Sequence, residues 1–324
     1  MTISTATAVA HPNIAFIKYW GNRDDEIRLP QNGSISMNLG DLTTRTMITF
    51  DSSLPRDTFD LNGIRQSGAA LHRVSQHLNL IRGIRGFSAP AHIFSESNFP
   101  AGAGLASSAA AFAALTVAAV RAAGIEMTEK DLSRLARRGS GSAARSIPSG
   151  FVEWFRGDTD TDSYAISIAP PEHWDLMDCI VILDDSHKTT GSTEGHQLAL
   201  TSPLQQARVK DCDRRLENCR DAIKRKDFDA LARVIEVDSN LLHAVAMTSN
   251  PPVFYWLPET ITVMQTVIGW RKAGIPVAYT IDAGPNVHVI CEASSYNQVQ
   301  KKLSALPRVQ SLICSKVGPG AFLE

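Results

Sequence analysis

Four stretches of the chain concentrate residues able to do chemistry. In "FPAGAGLASSAAAFAAL" (residues 99–115), Gly102 and Gly104 precede the adjacent Ser107 and Ser108 at the mouth of a small-sided helix. A helix N-terminus carries unpaired N–H groups and a partial positive charge, which together favour phosphate. A glycine-rich loop entering a helix is therefore a candidate phosphate cradle. The same residues also suit a tight turn before a buried alanine-rich helix with serine caps. In "HPNIAFIKYWGN" (residues 11–22), Lys18, Tyr19 and Trp20 crowd beside Gly21. Lysine and tyrosine so close can both donate to an anion, although a lysine snorkelling from an edge strand accounts for the pattern too. In "GSGSAARS" (residues 139–146), small residues and hydroxyls lead to Arg145. The fixed fork of an arginine suits phosphate or carboxylate, and a helix-to-helix turn with serine capping is the alternative. The fourth stretch, "DAGPN" (residues 282–286), is by its spacing a hairpin turn.

These stretches need elements to hold them. "RTMITF" and "APAHIFSES" alternate as half-buried strands do, and "SGAALHRVSQHLNLI" places Leu71, Val74, Leu78 and Ile81 on one helical face. The run 99–115 is small-sided almost all round, which predicts a deeply enclosed helix. Thr128 caps "TEKDLSRLARR", which ends at Gly139. Further on, "DCIVILDD" reads as a buried strand, followed by the polar loop "SHKTTGSTEGH". A long helix is expected over roughly residues 203–226 and a second over 228–237. A third, "ETITVMQTVIGWRKA", stops at Gly274 and Pro276. Strands "VAYTI" and "NVHVIC", a helix near "YNQVQKKLSAL" and a last strand "VQSLICSKV" follow. With the crossover helices merged, the order is β-α-β-β-α-β, a ferredoxin-like split arrangement. The boundary between domains 1–172 and 173–324 is placed in the proline-rich "APPEHW".

Length and composition narrow the field of functions. The 324 residues suffice for two domains, and 44% hydrophobic with 20% charged residues is ordinary for a globular chain with a sizeable core. A net charge of -1 gives no support to nucleic-acid binding. No apolar stretch approaches membrane-spanning length, because Arg121 interrupts the alanine-rich helix, and the N-terminus lacks the pattern of a secretory signal. The five cysteines form no paired metal or redox motif; Cys212 and Cys219 fall on one stripe with Val209, Leu216 and Ile223, as core residues would. The nine histidines show no metal-ligand pairing, since His72 and His77 would not share a helix face. A cytoplasmic enzyme is expected.

Taken together, "PAGAGLASSAA" and the distant "DAGPN" resemble the small-molecule kinase superfamily that includes galactokinase, homoserine kinase and mevalonate kinase. "NIAFIKYWG", "LPQNGSISMNL", "RRGSGSAARSIPSGFVEW" and "YTIDAGPN" resemble more closely the mevalonate diphosphate decarboxylase family, in order and over nearly the whole chain. The resemblance implies an α+β fold with a two-layer α/β N-terminal domain, a ferredoxin-like C-terminal domain and the site between them. It also implies the reaction: phosphorylation of the tertiary 3-hydroxyl of a 5-phosphorylated mevalonate by ATP, then loss of phosphate and carbon dioxide to give an isopentenyl unit. A tertiary hydroxyl is a poor leaving group, whereas a tertiary phosphate can depart toward a carbocation-like centre that decarboxylation then quenches. Residue by residue, Asp282 matches the catalytic aspartate beside the 3-hydroxyl. Arg145 matches the arginine that holds the substrate carboxylate and would also steady Asp282. Ser140, Gly141 and Ser142 match the pocket for the 5-phosphate end, and Tyr19 reaches the same end. Gly102, Gly104, Leu105, Ala106, Ser107 and Ser108 match the ATP phosphate loop, with Ser107 and Ser108 near Mg²⁺. Lys188 and Ser192 match a second-domain loop that closes over ATP. No GxxxxGK[ST] motif is present, so the chain is not a P-loop enzyme. The resemblance further implies a homodimer.

One position departs from the family pattern. Where the family reads "IKYWGK", the last position here is Asn22. Loss of a cation at the diphosphate end tilts the expected substrate toward mevalonate 5-phosphate rather than the 5-diphosphate, although Arg23, next along, could restore the charge. Two rivals remain: a kinase that stops after phosphorylation, distinguished by ADP formation without carbon dioxide, and a non-catalytic scaffold, disfavoured because Asp282, Arg145 and the serines are all in place.

Overall fold

The computed structural model describes residues 4–100, 107–185 and 190–324. The chain opens with strands β1 (Ser4–Ala10), β2 (Asn13–Ile17), β3 (Asn22–Asp24), β4 (Leu29–Pro30), β5 (Ser34–Asn38), β6 (Thr44–Phe50), β7 (Thr58–Leu61) and β8 (Ile64–Gln66). Helix α1 (Gly68–Arg85), strand β9 (Ala91–Ser97), helices α2 (Ser107–Ala122) and α3 (Glu129–Gly139), and strands β10 (Phe151–Trp154) and β11 (Ala165–Ala169) complete the N-terminal half. The second half runs β12 (Leu176–Ile182), α4 (Ser192–Leu198), α5 (Gln205–Lys210), α6 (Cys212–Arg225), α7 (Phe228–Met247) and α8 (Pro258–Lys272). It ends with β13 (Val277–Thr280), β14 (Val287–Glu292), α9 (Tyr296–Ser304), β15 (Ser311–Lys316) and β16 (Phe322–Leu323).

Three main sheets result. One has the order β16-β1-β6-β9-β7-β8, a second β11-β10-β5-β2, and a third β13-β14-β12-β15. The third is fully antiparallel and is joined as β-α-β-β-α-β, which confirms the split arrangement read from the sequence. Strand β16 returns to the first sheet and pairs with β1, Val9 opposite Phe322.

Helix α2 is buried nearly all round, as its small side chains predict, and it packs with α1 and α3 on the first sheet. The close fit depends on Gly139, where a Cβ would lie 2.1 Å from the Phe112 ring. Thr128 caps α3 by accepting the Asp131 N–H at 3.2 Å, a bond that typically contributes about 1 kcal/mol. Between the second and third sheets lie α6 and α7, whose Leu216, Cys219, Ile223, Leu231 and Ile235 bury against Ile14, Phe16, Ile180 and Ile290. The other face of the third sheet is covered by α8 and α9.

Two helix expectations require correction. The single helix over 203–226 is two, α5 and α6, broken at Asp211, whose carboxylate is engaged by Arg214 and Arg215. Helix α7 continues ten residues past Val237 to Met247. The polar run Asp238-Ser239-Asn240 resembles a helix stop but is turned inward, where each side chain finds a partner. No described helix is long and apolar enough to cross a membrane.

Candidate active site

A cavity of about 420 Å³ opens between the two halves of the chain. It is lined from the N-terminal half by Lys18, Tyr19, Ser108 and Arg145, and from the other half by His196 and Asp282. The hairpin reading of "DAGPN" holds: the segment joins β13 to β14, and it presents Asp282 to the cavity.

Lys18 does not snorkel. Although β2 is an edge strand, the Lys18 side chain is 1% exposed and its Nζ donates to Asp282 Oδ1 at 2.6 Å. Its backbone N–H donates to Asp238 Oδ2 at 2.6 Å, and its carbonyl accepts from Asn32 at 2.9 Å and Arg208 at 2.7 Å. Burial pulls the Lys18 ammonium below its ordinary value, against the opposing pull of Asp282 and Asp238. Burial pushes the Asp282 carboxyl up, but the charges of Lys18, His288 and Arg145, with the Lys18 hydrogen bond, outweigh it and hold the group below the usual aspartate value. An ionised carboxylate facing a cavity can accept a proton from a hydroxyl set beside it.

Arg145 lies in a short 3-10 turn, residues Gly141–Ser146, directly after α3. Its Nε and Nη2 donate to Asn13 Oδ1 at 3.2 and 3.1 Å, and its Nη1 to Ser34 Oγ at 2.6 Å. Burial lowers its pKa to about 10, so it remains a cation at neutral pH. It therefore enters the cavity as an oriented fork held by two neutral acceptors, with no carboxylate among its hydrogen-bond partners in the described residues.

Ser140, Gly141 and Ser142 line the same cavity with Ser107 and Ser108. Ser140 Oγ lies 3.0 Å from Ser108 Oγ and 3.5 Å from Ser142 Oγ, so the third stretch and the first meet through hydroxyls. Gly141 is required for the approach of Tyr19, since a Cβ there would lie 2.5 Å from the tyrosine ring. Ser192, at the start of α4, also reaches the cavity. Gly102, Gly104, Leu105, Ala106 and Lys188 lie outside the described residues. Among the described residues no cluster of carboxylates, histidines or cysteines could hold a metal ion. Among the described residues, the Ser107 and Ser108 hydroxyls at the opening of α2 face the cavity as neutral oxygen donors of the kind a nucleotide-borne Mg²⁺ accepts.

Asn22 is not a cavity residue. It is buried, accepts a hydrogen bond from the Tyr19 hydroxyl, and donates to Asp25 Oδ1 at 2.7 Å, so it orients Tyr19. Nor does Arg23 restore a cation there: it donates to the carbonyls of Arg156 and Gly157 and lies 3.4 Å from Asp158. The cations that do line this end are Arg28, from the β3–β4 turn, and Arg73, from α1. Arg73 Nη2 donates to Gly139 O at 2.8 Å, and burial, followed by the charge of Arg28, lowers its pKa to about 10. Sequence reasoning missed Lys18 as a partner of Asp282, and missed Arg28, Arg73 and His196 altogether. For Lys18 a signal existed, a cation directly after the apolar run "NIAFI"; Arg28 stands immediately before "LPQNGSISMNL" and His196 ends the polar loop "SHKTTGSTEGH", but neither residue type marked itself as part of the site.

Comparison with known proteins agrees with this arrangement. Residues 10–165 match the family model of the diphosphomevalonate decarboxylase-like N-terminal domain, and residues 179–320 that of the mevalonate 5-diphosphate decarboxylase C-terminal domain. A diphosphomevalonate decarboxylase of Ganoderma lucidum is 39% identical over 313 residues, covering 88% of this chain and 78% of that protein. The human diphosphomevalonate decarboxylase is 36% identical over 307 residues, covering 88% and 76%. The mevalonate diphosphate decarboxylase structure of Staphylococcus aureus superposes with a TM-score of 0.93 at 38% identity, covering 100% of this chain and 98% of that one. A structure described as MDDEF in complex with MVAPP, AMPPCP and magnesium gives 0.94 at 38% identity, covering 100% and 99%.

Proposed function

Given that the chain belongs to the diphosphomevalonate decarboxylase family, and so is an ATP- and magnesium-dependent carboxy-lyase, we propose that its substrate is mevalonate 5-diphosphate and its product isopentenyl diphosphate. The observation that carries this reading is the division of one cavity into a Lys18–Asp282–Arg145 end and a hydroxyl-and-guanidinium end. At the first end, Asp282 takes the proton of the 3-hydroxyl as that oxygen is phosphorylated, and Lys18 holds the aspartate ionised and fixed. Arg145 grips the substrate carboxylate until carbon dioxide leaves. ATP, when bound with Mg²⁺ beside Ser107 and Ser108, supplies the phosphoryl group. At the second end, Ser140, Ser142 and Tyr19 receive the 5-diphosphate, and the charge of Arg28 and Arg73 suits its two phosphates.

Asn22 favours one second reading, mevalonate 5-phosphate, because a neutral amide stands where the family carries lysine. Steady-state kinetics with both esters, following ADP and carbon dioxide together, decides between them. A higher kcat/KM for the diphosphate with equimolar carbon dioxide supports the first reading. Preference for the monophosphate establishes the second, and ADP without carbon dioxide refutes decarboxylation. We further propose a cytoplasmic homodimer with domains 1–172 and 173–324; the free state of all five cysteines fits a reducing compartment, and light scattering tests the dimer.

A further inference from the structure

Arg28 occupies a costly backbone position. Its φ is 51°, in the left-handed region, where a residue other than glycine costs on the order of 1 kcal/mol or more. That conformation turns the side chain into the cavity. Only the Arg28 Nε has a protein acceptor among the described residues, the Arg138 carbonyl at 3.2 Å. Its charge is felt by Tyr19, Arg73 and His196, with which it shares the cavity wall. Two guanidinium groups thus face one space, and among the described residues neither has a carboxylate partner. Unneutralised cations side by side are unfavourable unless an anion arrives between them.

His196 completes the group. Its Nδ1 accepts the Gly21 N–H at 2.9 Å, so its proton sits on Nε2. The ring is fixed by Tyr19 at 4.0 Å and Trp20 at 4.9 Å between centroids. Gly195 allows this seating, because a Cβ there would lie 2.4 Å from the Trp20 ring. Burial drives the His196 pKa to about 3, so the ring is a fixed neutral donor rather than a variable charge.

We propose that Arg28 is a specificity-determining residue that binds the terminal phosphate of the substrate in place of a cation at position 22, with the Nε2–H of His196 as its second donor. The assignment rests on the diphosphate reading above and deepens it. A single bridging phosphate adjacent to the mevalonate carbon chain stays with the serines and Tyr19; the second reaches the Arg28 turn. Arg28 therefore discriminates between the esters, whereas the serines bind both.

The test is calorimetric binding of mevalonate 5-diphosphate and mevalonate 5-phosphate, without nucleotide, to the wild type and to Arg28→Gln, Arg28→Lys, Arg28→Gly and His196→Gln. Arg28→Gln is expected to weaken the diphosphate about ten- to a hundredfold and the monophosphate less than about threefold. Lysine at this position restores part of the loss. Glycine removes the backbone strain, so Arg28→Gly melts no lower than Arg28→Gln yet binds the diphosphate as poorly. His196→Gln costs about three- to tenfold, again mainly for the diphosphate. The KM for ATP is expected to be unchanged throughout. Equal losses for both esters, or an unaltered diphosphate affinity, overturn the assignment. A wild type that binds the diphosphate through Arg28 but turns over only the monophosphate refutes the substrate reading and leaves Arg28 in place. A wild type that does not bind the diphosphate overturns both.

Discussion

Replacing Lys18 by methionine isolates the contact on which the catalytic end depends. Methionine keeps the length and apolar stem of the lysine but removes the ammonium 2.6 Å from Asp282 Oδ1. Two unit charges about 4 Å apart attract by about 4 kcal/mol at the effective dielectric of a partly open site. Removing one member of a buried pair typically costs 3–5 kcal/mol, because the other is left uncompensated. Arg145 also stabilises the Asp282 charge, so part of the interaction survives. If the remainder is expressed in the transition state, kcat/KM falls about 10²- to 10⁴-fold. The direction of the pH effect is fixed independently. The reaction needs ionised Asp282, and Lys18 is one of the charges holding its carboxyl below the usual value. Without Lys18 the acid limb of the kcat/KM profile therefore moves to higher pH. The assay is a kcat/KM–pH profile for the wild type and Lys18→Met, with melting temperatures for both. Activity within threefold of wild type refutes the coupling of Lys18 to Asp282. A large loss with an unmoved acid limb refutes it as well, because a purely structural role lowers the whole curve without displacing it.

Asp282→Asn is expected to keep the fold and ATP binding while turnover falls about 10²- to 10⁴-fold, since the amide cannot take the hydroxyl proton; near-normal turnover would reduce Asp282 to a turn residue. Arg145→Lys is expected to raise KM and lower kcat with ATP affinity little changed, because lysine cannot reproduce the fork held by Asn13 and Ser34; unaltered kinetics exclude Arg145 from the site. His77 and His196, both driven down to about 3 by burial, remain neutral in the folded protein while the unfolded chain takes up a proton near 6.5. Stability is therefore full above about pH 6.5 and declines as pH falls toward 3, by about 1.4 kcal/mol per pH unit from each histidine. Urea midpoints at pH 7.5 and 5 are expected to show a shallower loss in His77→Gln, and an equal loss excludes His77 as a source.

Much of this arrangement was legible in the residues. The alternation in "RTMITF", the Leu71-Val74-Leu78-Ile81 stripe and the small-sided run after Ser107 each report a local environment, and each became the expected element. The order of elements after residue 176 was enough for the split sheet, because antiparallel strands with helical crossovers leave few alternatives. Failures came where a polar residue serves a distant partner. Asp238, Ser239 and Asn240 read as the end of a helix because their partners, Lys18, Ile281 and Tyr279, are far away in the chain. Asn22 was expected at the diphosphate end because the family pattern carries a lysine at that position. Its amide instead serves Tyr19 and Asp25, and the cation of that end comes from a turn six residues on.

The fixing of Lys18 has a mechanical consequence. Three ties cross from this one residue to the second half of the chain: its N–H to Asp238, its carbonyl to Arg208 and its Nζ to Asp282. A cleft so fastened cannot widen by separating its walls there without breaking all three bonds in a dry interior. The second wall is pinned close by as well, where His196 of α4 accepts the Gly21 N–H and its ring lies against Tyr19 and Trp20. Alignment of the proton acceptor is thus built into the seam between the two halves and does not wait on a ligand.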